Sequence, residues 1–260
     1  MKSAASLKVY VVLRVLTGLY PHLSIFGFRK PEYTKSMELY HVLNRGVEKR
    51  DIFMDEKDHL RFVHDLWEFN DENLTPRVHH SFIKSLKNSG LRNPNFEPKG
   101  KRIVDIHGWC LVKNHYHLLL SERIDGGLTL FLRKLNVGYA NYFNEKHKRV
   151  GSLFQGRTKK IHVNSDAYFL HILNYVHLNP LDYMTSAYGW RERRLEKPKQ
   201  AHEYLLKYRW SSYPDYCGKR NFPSLITRDL FGEKSEKFER RIFDYSGTRH
   251  EELPVQFLLE

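Results

Sequence analysis

His115 and His117 stand two apart in the run His107-Gly-Trp-Cys-Leu-Val-Lys-Asn-His-Tyr-His-Leu-Leu-Leu120. From Cys110 to Leu120 the run has the alternation of a strand, so side chains two apart share a face. Two imidazoles leaving a rigid backbone roughly 7 Å apart can reach one metal ion. The pair alone decides little. With 15 His in 260 residues, chance supplies about 0.9 His-x-His pairs, so two satisfied core histidines are the plainer reading until other residues join them.

Those residues come later in the chain. Asn164-Ser-Asp166 caps a helix that ends where Pro180 forbids continuation. Within it His171, Tyr175 and Asn179 step by four along one face, while Phe169, Leu170, Leu173 and Val176 cover much of the opposite side and would pack on a sheet. This predicts an exposed tyrosine four residues before an amide, on a helix able to lie near the two-histidine strand. Tyrosine forms covalent intermediates, but a free pKa near 10 makes it a poor nucleophile at neutral pH. A divalent cation on a scissile phosphate would polarise the phosphorus centre and offset the charge developing on its oxygens. Two imidazoles and one amide oxygen leave positions open for phosphate and water, which suits Mg²⁺ or Mn²⁺ better than a closed Zn²⁺ site. On spacing alone Tyr175 is equally an ordinary residue of an amphipathic helix in a chain with 16 Tyr. Tyr139, Tyr142 and Tyr168 compete for the role, and of these four Tyr175 alone has an Asn at plus four.

The elements that must position these groups follow from the pattern around them. Leu39–Leu43 reads as a strand with Asn44-Arg-Gly46 as its exit turn, and Asp51–Met54 as a short extended piece. Asp55 caps a helix running to about Phe69 with Leu60, Phe62, Val63, Leu66 and Trp67 on or near its buried side. Residues 71–102, rich in Asn, Pro, Lys and Gly, read as an inserted basic loop with a short helix at Val78–Lys87. After the central strand, Asp125-Gly-Gly127 turns the chain into a helix over Leu128–Lys146, its core stripe Leu128, Phe131, Leu132, Leu135, Tyr139 and Phe143. Gly151–Val163 reads as a hairpin or as a loop and strand. Beyond Leu181 a helical stretch is expected around Gln200–Tyr208 and an amphipathic one over Ser235–Tyr245. Strand and helix alternate with antiparallel-capable strands, which predicts an α+β domain of helices on a sheet. Residues 1–36 show no clean period; they are an extension packed on the domain, or upstream sequence preceding an initiator at Met37. The expected division is 1–36, a domain over 37–181, and a C-terminal helical, basic extension over 182–260.

A charge of +13 and pI near 9.6 imply a polyanionic partner, nucleic acid before membrane. The 16 Tyr, 16 Phe and 4 Trp, many beside Lys or Arg, suit stacking on unpaired bases. Cys110 and Cys217 offer neither metal-ligand spacing nor a disulfide framework and fit a reducing cytoplasm. Residues 8–28 are apolar, but Arg14 interrupts them and the uncharged run Val15–Phe28 is too short to span a bilayer. No membrane partner and no secretory signal are expected.

Several stretches taken together resemble a known family. His115-Tyr-His117, set in Val-Lys-Asn-His-Tyr-His-Leu-Leu-Leu, is similar to the His-hydrophobic-His signature of the HUH single-tyrosine transposases, and Tyr175-Val-His-Leu-Asn-Pro180 is similar to their catalytic-helix motif. Tyr40-His-Val-Leu-Asn-Arg-Gly46, Tyr139-Ala-Asn-Tyr-Phe-Asn144, Gly151-Ser-Leu-Phe-Gln-Gly-Arg157 and Trp210-Ser-Ser-Tyr213 resemble the REP-associated branch of that family. The resemblance spans about residues 37–216 in order. It implies a ferredoxin-like antiparallel sheet backed by helices, and cleavage and rejoining of single-stranded or hairpin DNA through a 5′-phosphotyrosine, with no nucleotide cofactor. Carried onto this chain, Tyr175 is the nucleophile and His115, His117 and Asn179 hold the metal. Arg45, Arg157, Lys159 and Lys160 are the expected phosphate contacts. The chain departs from the signature at Tyr116, which replaces an aliphatic residue and should face away on a strand. The alternatives are a binder of DNA hairpins that does not turn over, and an RNA-binding module presenting Tyr40, Trp109 and Phe154 from its sheet. Monomer and homodimer are both compatible with these readings.

Overall fold

The computed structural model describes residues 38–72, 101–192, 194–232 and 234–247. The N-terminal extension and most of the inserted loop lie outside the described residues, which all belong to one compact unit, Met37–Glu260.

Two strands, a two-residue turn and two long helices build the centre. Strand β1 is Leu39–Arg45. Helix α1, Glu56–Glu68, starts where Asp55 accepts the Asp58 amide at 2.9 Å, satisfying one of the orphan donors of a first turn. Strands β2 (Val104–Val112) and β3 (His115–Glu122) follow, then helix α2 (Gly127–Lys146) and strand β4 (Lys159–His162). The run Cys110–Leu120, expected as one strand, is a hairpin turning at Lys113-Asn114, in which Cys110 pairs with His117. All pairings are antiparallel and the strand order is β2-β3-β1-β4. With the chain order βαββαβ this is the ferredoxin-like topology.

Alternation gives the sheet two faces of different character. Val42, Tyr116, Leu118 and Leu120 point into a core with Phe62, Leu66, Leu135 and Tyr139 of α1 and α2. The opposite face carries His41, Leu43 and Arg45 of β1, in register with Leu119, His117 and His115 of β3, since directly paired residues share a face. Tyr116 sits in the core with no exposed surface, and its hydroxyl donates to Asn136 at 2.7 Å.

Helix α3, Asp166–Leu178, covers that second face. Ser165 accepts the Tyr168 amide at 3.2 Å and begins it, and Pro180 follows its end. Gly108 allows the close approach: a Cβ there would stand 2.7 Å from Leu173 Cδ1. The Trp210–Tyr213 stretch anchors α3 from the side. Leu111 donates to Trp210 O at 2.8 Å and Ser212 donates to Trp109 O at 2.9 Å, covering the free edge of β2, while the Ser212 hydroxyl bonds His177 Nε2 at 2.7 Å. The Gly151–Arg157 stretch likewise lengthens the other side of β1, with Gln155 donating to Arg45 O at 2.7 Å and Val47 to Leu153 O at 2.9 Å. Helices α4 (Pro198–Lys207) and α5 (Ser235–Gly247) follow, with a single helical turn, Tyr213–Tyr216, between them. None of the described helices is long and apolar enough to cross a membrane.

Candidate active site

Both histidines of the hairpin project from β3 beneath α3, and their rings meet edge-on at 4.9 Å. His115 is 5% exposed and His117 is fully buried. The orientation of His115 is fixed by its neighbour. Asn114 donates its Nδ2 to Lys49 O at 3.2 Å, which turns its Oδ1 to His115 Nδ1 at 2.6 Å. An amide oxygen only accepts, so His115 is the donor in this bond, through Nδ1–H. Burial first, with the charges of His41, Arg191 and Arg45 adding to it, holds His117 well below the usual imidazole range. A neutral ring is what a cation needs as a ligand.

Tyr175 of α3 reaches this pair. Its ring stands edge-on to His117 at 5.8 Å and to His41 at 5.9 Å. The expectation that Tyr175 is exposed is corrected: it is 5% exposed. Tyr168, Ile172, Tyr175 and Asn179 form a buried stripe, all at most 5% exposed, and the expected Leu173 also meets the sheet, beside Gly108 of β2. Steps of four drift about 40° per step at 3.6 residues per turn, so His171 falls off this line and meets Tyr245 instead, with ring centroids 5.3 Å apart.

A short turn lies over the phenol. Gly189 takes a left-handed conformation (φ 100°), open to glycine at little cost, and Trp190 and Arg191 follow. Trp190 packs 5.9 Å from the Tyr175 ring. Arg191 donates one nitrogen to the Tyr175 hydroxyl at 3.0 Å and another to Asp182 Oδ2 at 2.6 Å, and its second nitrogen lies 3.4 Å from Asn179 Oδ1. Asp182 also accepts from Trp190 Nε1 at 2.6 Å, holding both covering residues. Sequence reasoning missed Arg191, because it joins the site through a turn rather than through a helical or strand period.

Asn179 has a bland role as well. Its Nδ2 donates to Tyr175 O at 2.8 Å, satisfying a carbonyl of the last turn. That bond leaves Oδ1 facing Arg191. His115 and His117 are the residues that could hold a divalent cation here, and Asn179 Oδ1 lies 3.4 Å from the Arg191 guanidinium. His41, also missed in the sequence, touches the pair: its Nε2 lies 2.9 Å from His117 Nδ1.

Among the described residues the group of three His, Cys, Asp or Glu side chains with ligand atoms within 4.8 Å of one another is His64, Asp65 and Glu68 on α1. Contacts within α1 join its members. Arg61 Nε is 2.8 Å from Asp65 Oδ1, and His64 Nδ1 is 3.1 Å from Glu68 Oε2, both pairs one helical turn apart.

The four expected phosphate contacts divide between faces. Lys159 pairs with Leu43 and so shares the histidine face with Arg45, whereas Lys160 pairs with Val42 and its Nζ lies 3.3 Å from Thr129 on α2. Arg157 is exposed in the loop before β4. Of the three aromatics considered for stacking on RNA, Trp109 is fully buried and Phe154 is 7% exposed, and both are core residues rather than a platform. Of the competing tyrosines, Tyr139 is a core residue donating to Ile52 O, Tyr142 bonds Asp58 at 3.2 Å, and Tyr168 bonds His41 at 3.0 Å.

The sequence matches no protein-family model and no curated protein. One solved structure, of a REP-associated tyrosine transposase bound to a REP hairpin, aligns over 76% of this chain and 90% of its own, with 10% identity and a TM-score of 0.38.

Proposed function

We propose that this chain is a metal-dependent nickase and strand transferase acting on single-stranded or hairpin DNA, with Tyr175 as nucleophile. The observation that carries this reading is convergence. A phenol from α3 stands edge-on to His117, which with His115 forms a buried histidine pair on β3, in a chain of net charge +13.

In the reaction the Tyr175 oxygen attacks a phosphodiester phosphorus, forming the Tyr–O–P bond as the P–O3′ bond breaks. The phenol proton is transferred, in net terms, to the departing 3′ oxygen. The phosphodiester energy stays in the phosphotyrosine, so attack by a new 3′ hydroxyl reverses the step without a nucleotide cofactor. His115, His117 and Asn179 would hold a divalent cation, Mg²⁺ or Mn²⁺, which would polarise the phosphate as a Lewis acid. The chain's own groups do the rest. Buried walls around the histidine pair limit water. Arg191, the cation nearest the phenol oxygen, is placed to meet a phosphate there. Arg45 and Lys159 on the histidine face, with Arg157 in the adjoining loop, hold the strand.

A second reading is favoured by the cover on Tyr175. While Trp190 and Arg191 lie over the phenol, no phosphate reaches it, and a protein that stays in this state binds hairpins without cleaving them. One experiment separates the two. The full chain is incubated with hairpin oligonucleotides bearing randomised single-stranded flanks, with Mg²⁺ or Mn²⁺, and run on a denaturing gel. The transferase reading expects a covalent protein–DNA band that chelator, Tyr175→Phe and His117→Ala each remove. Retention of hairpins with no such band under either metal sinks it and leaves the binder.

A further inference from the structure

Behind His117 lie two buried groups that the reaction above does not use, His41 and Tyr168. His41 projects from β1, stacked on His117 with ring centroids 5.2 Å apart and planes 14° off parallel. Its Nε2 is 2.9 Å from His117 Nδ1, and its Nδ1 is 3.0 Å from the Tyr168 hydroxyl. His41 is 4% exposed, Tyr168 1% and His117 0%.

A neutral imidazole has one N–H and one lone pair, so the chain from His117 to Tyr168 has two polarities. In the first, His117 Nδ1–H donates to His41 Nε2, and His41 Nδ1–H donates to the Tyr168 oxygen. His117 then presents a lone pair at Nε2. In the second, the Tyr168 hydroxyl donates to His41 Nδ1, and His41 Nε2–H donates to His117 Nδ1. The Nε2 of His117 then carries a proton and cannot ligate.

We propose that His41 and Tyr168 are positioning residues that hold the first polarity, fixing the ring of His117 with its Nε2 lone pair turned away from His41. The inference rests on the metal reading above and deepens it. It has a parallel in the same site, because Asn114 draws the Nδ1–H donor of His115 from an unrelated direction. The two histidines, two residues apart on one strand, thus receive equivalent instructions from different elements: a turn after β1 for His115, and β1 with α3 for His117. A metal-ligating histidine generally has its other nitrogen bonded in this way, and loss of such a partner costs about 10–100-fold in metal affinity. Tyr168 lies two turns before Tyr175 on α3, so the helix that brings the phenol also sets the far end of the chain.

The test uses full-length protein and two readouts. Nitrogen-15 histidine NMR of the metal-free protein reads the His117 tautomer, and titration calorimetry with Mn²⁺ reads affinity. Wild type should show His117 protonated at Nδ1. His41→Leu should lose that fixed form and weaken Mn²⁺ binding about 10–100-fold, and Tyr168→Phe should weaken it less. His41→Gln, whose amide oxygen can accept from His117, should recover part of the affinity and serves if the leucine variant does not fold. A wild-type His117 protonated at Nε2, or folded His41→Leu and His41→Gln proteins that both bind Mn²⁺ as wild type does, overturns the positioning role. Wild type that binds no Mn²⁺ but shows the Nδ1–H form sinks the metal reading while leaving the tautomer assignment standing.

Discussion

Tyr175 has two sets of neighbours, histidines below and Arg191 with Trp190 above, and reactivity depends on which set wins. The Arg191 guanidinium lies 5.5 Å over the Tyr175 ring and 4.5 Å over that of Trp190, and two hydrogen bonds to Asp182 hold the turn. Asp182 is exposed, where an ion pair contributes only about 0–1 kcal/mol. The Asp182 pair is thus the weaker restraint on the cover, and buried Trp190, 4% exposed, is the other. Asp182→Ala should release the cover: modification of Tyr175 by tetranitromethane, read by peptide mass spectrometry, should speed up severalfold, and any covalent DNA adduct should form faster. Nitration at the wild-type rate would mean that packing of Trp190, not Asp182, closes the site. The sequence showed Tyr175 and Asn179 because a four-residue step is visible in a helix. It hid Asp182 and Arg191, whose partnership crosses nine residues of irregular chain.

At the scale of elements, short segments between strands aim the chemistry. Gly46 closes β1, and a Cβ there would stand 2.3 Å from Arg50 O. Backbone cannot yield as a side-chain tip can, so Gly46→Ala must displace the Gly46–Arg50 turn. That turn supplies Lys49 O, which orients Asn114 and through it His115. Gly46→Ala should lower stability by about 1–3 kcal/mol, read by urea unfolding, and should also weaken Mn²⁺ binding. Full stability with normal binding would show the turn adjusting without moving Asn114. The helices were legible in advance because their caps and stripes are local: Asp55, Ser165 and Pro180 mark ends where the chain does turn. The hairpin inside Cys110–Leu120 was not. Its turn, Lys113-Asn114, has no positive φ and needs no glycine, and a two-residue turn preserves the alternation on either side. Nor could the period of α3 reveal that Tyr175 faces inward, since only the covering sheet decides which stripe of a helix is buried. His41 was a lone histidine on a strand until β1 and β3 were in register.

Basic residues lie on both of the sheet's unlike faces, and the faces make different predictions. Lys159 shares the histidine face, while Lys160 points to α2. Lys159→Gln should lower hairpin affinity and reduce the slope of log affinity against log salt by about one contact. Lys160→Gln should change both less. Equal losses would place the strand across the edge of β4 rather than on the histidine face. Histidines wholly or partly removed from water set a second property of the molecule. Burial, as the largest cause, lowers His59, His107 and His202 below the ordinary imidazole value. Above pH about 6.5 these rings are neutral both folded and unfolded. As pH falls through that value the unfolded chain takes up protons that the folded one refuses, so stability is lost on the acid side. The buried carboxyls Asp65 and Asp215, raised by burial, act in the opposite sense, so a single wild-type curve mixes the two. His107→Gln isolates one ring. It removes a 1% exposed imidazole bonded to Ser121 at 2.8 Å and Thr227 at 3.1 Å and leaves both carboxyls in place. Its urea midpoint in metal-free buffer should be below that of wild type at pH 7.5, but the gap should narrow at pH 5.5, because the variant no longer loses the His107 contribution on acidification. A gap that stays constant or widens between those pH values would mean that His107 accepts a proton in the folded protein as readily as in the unfolded chain.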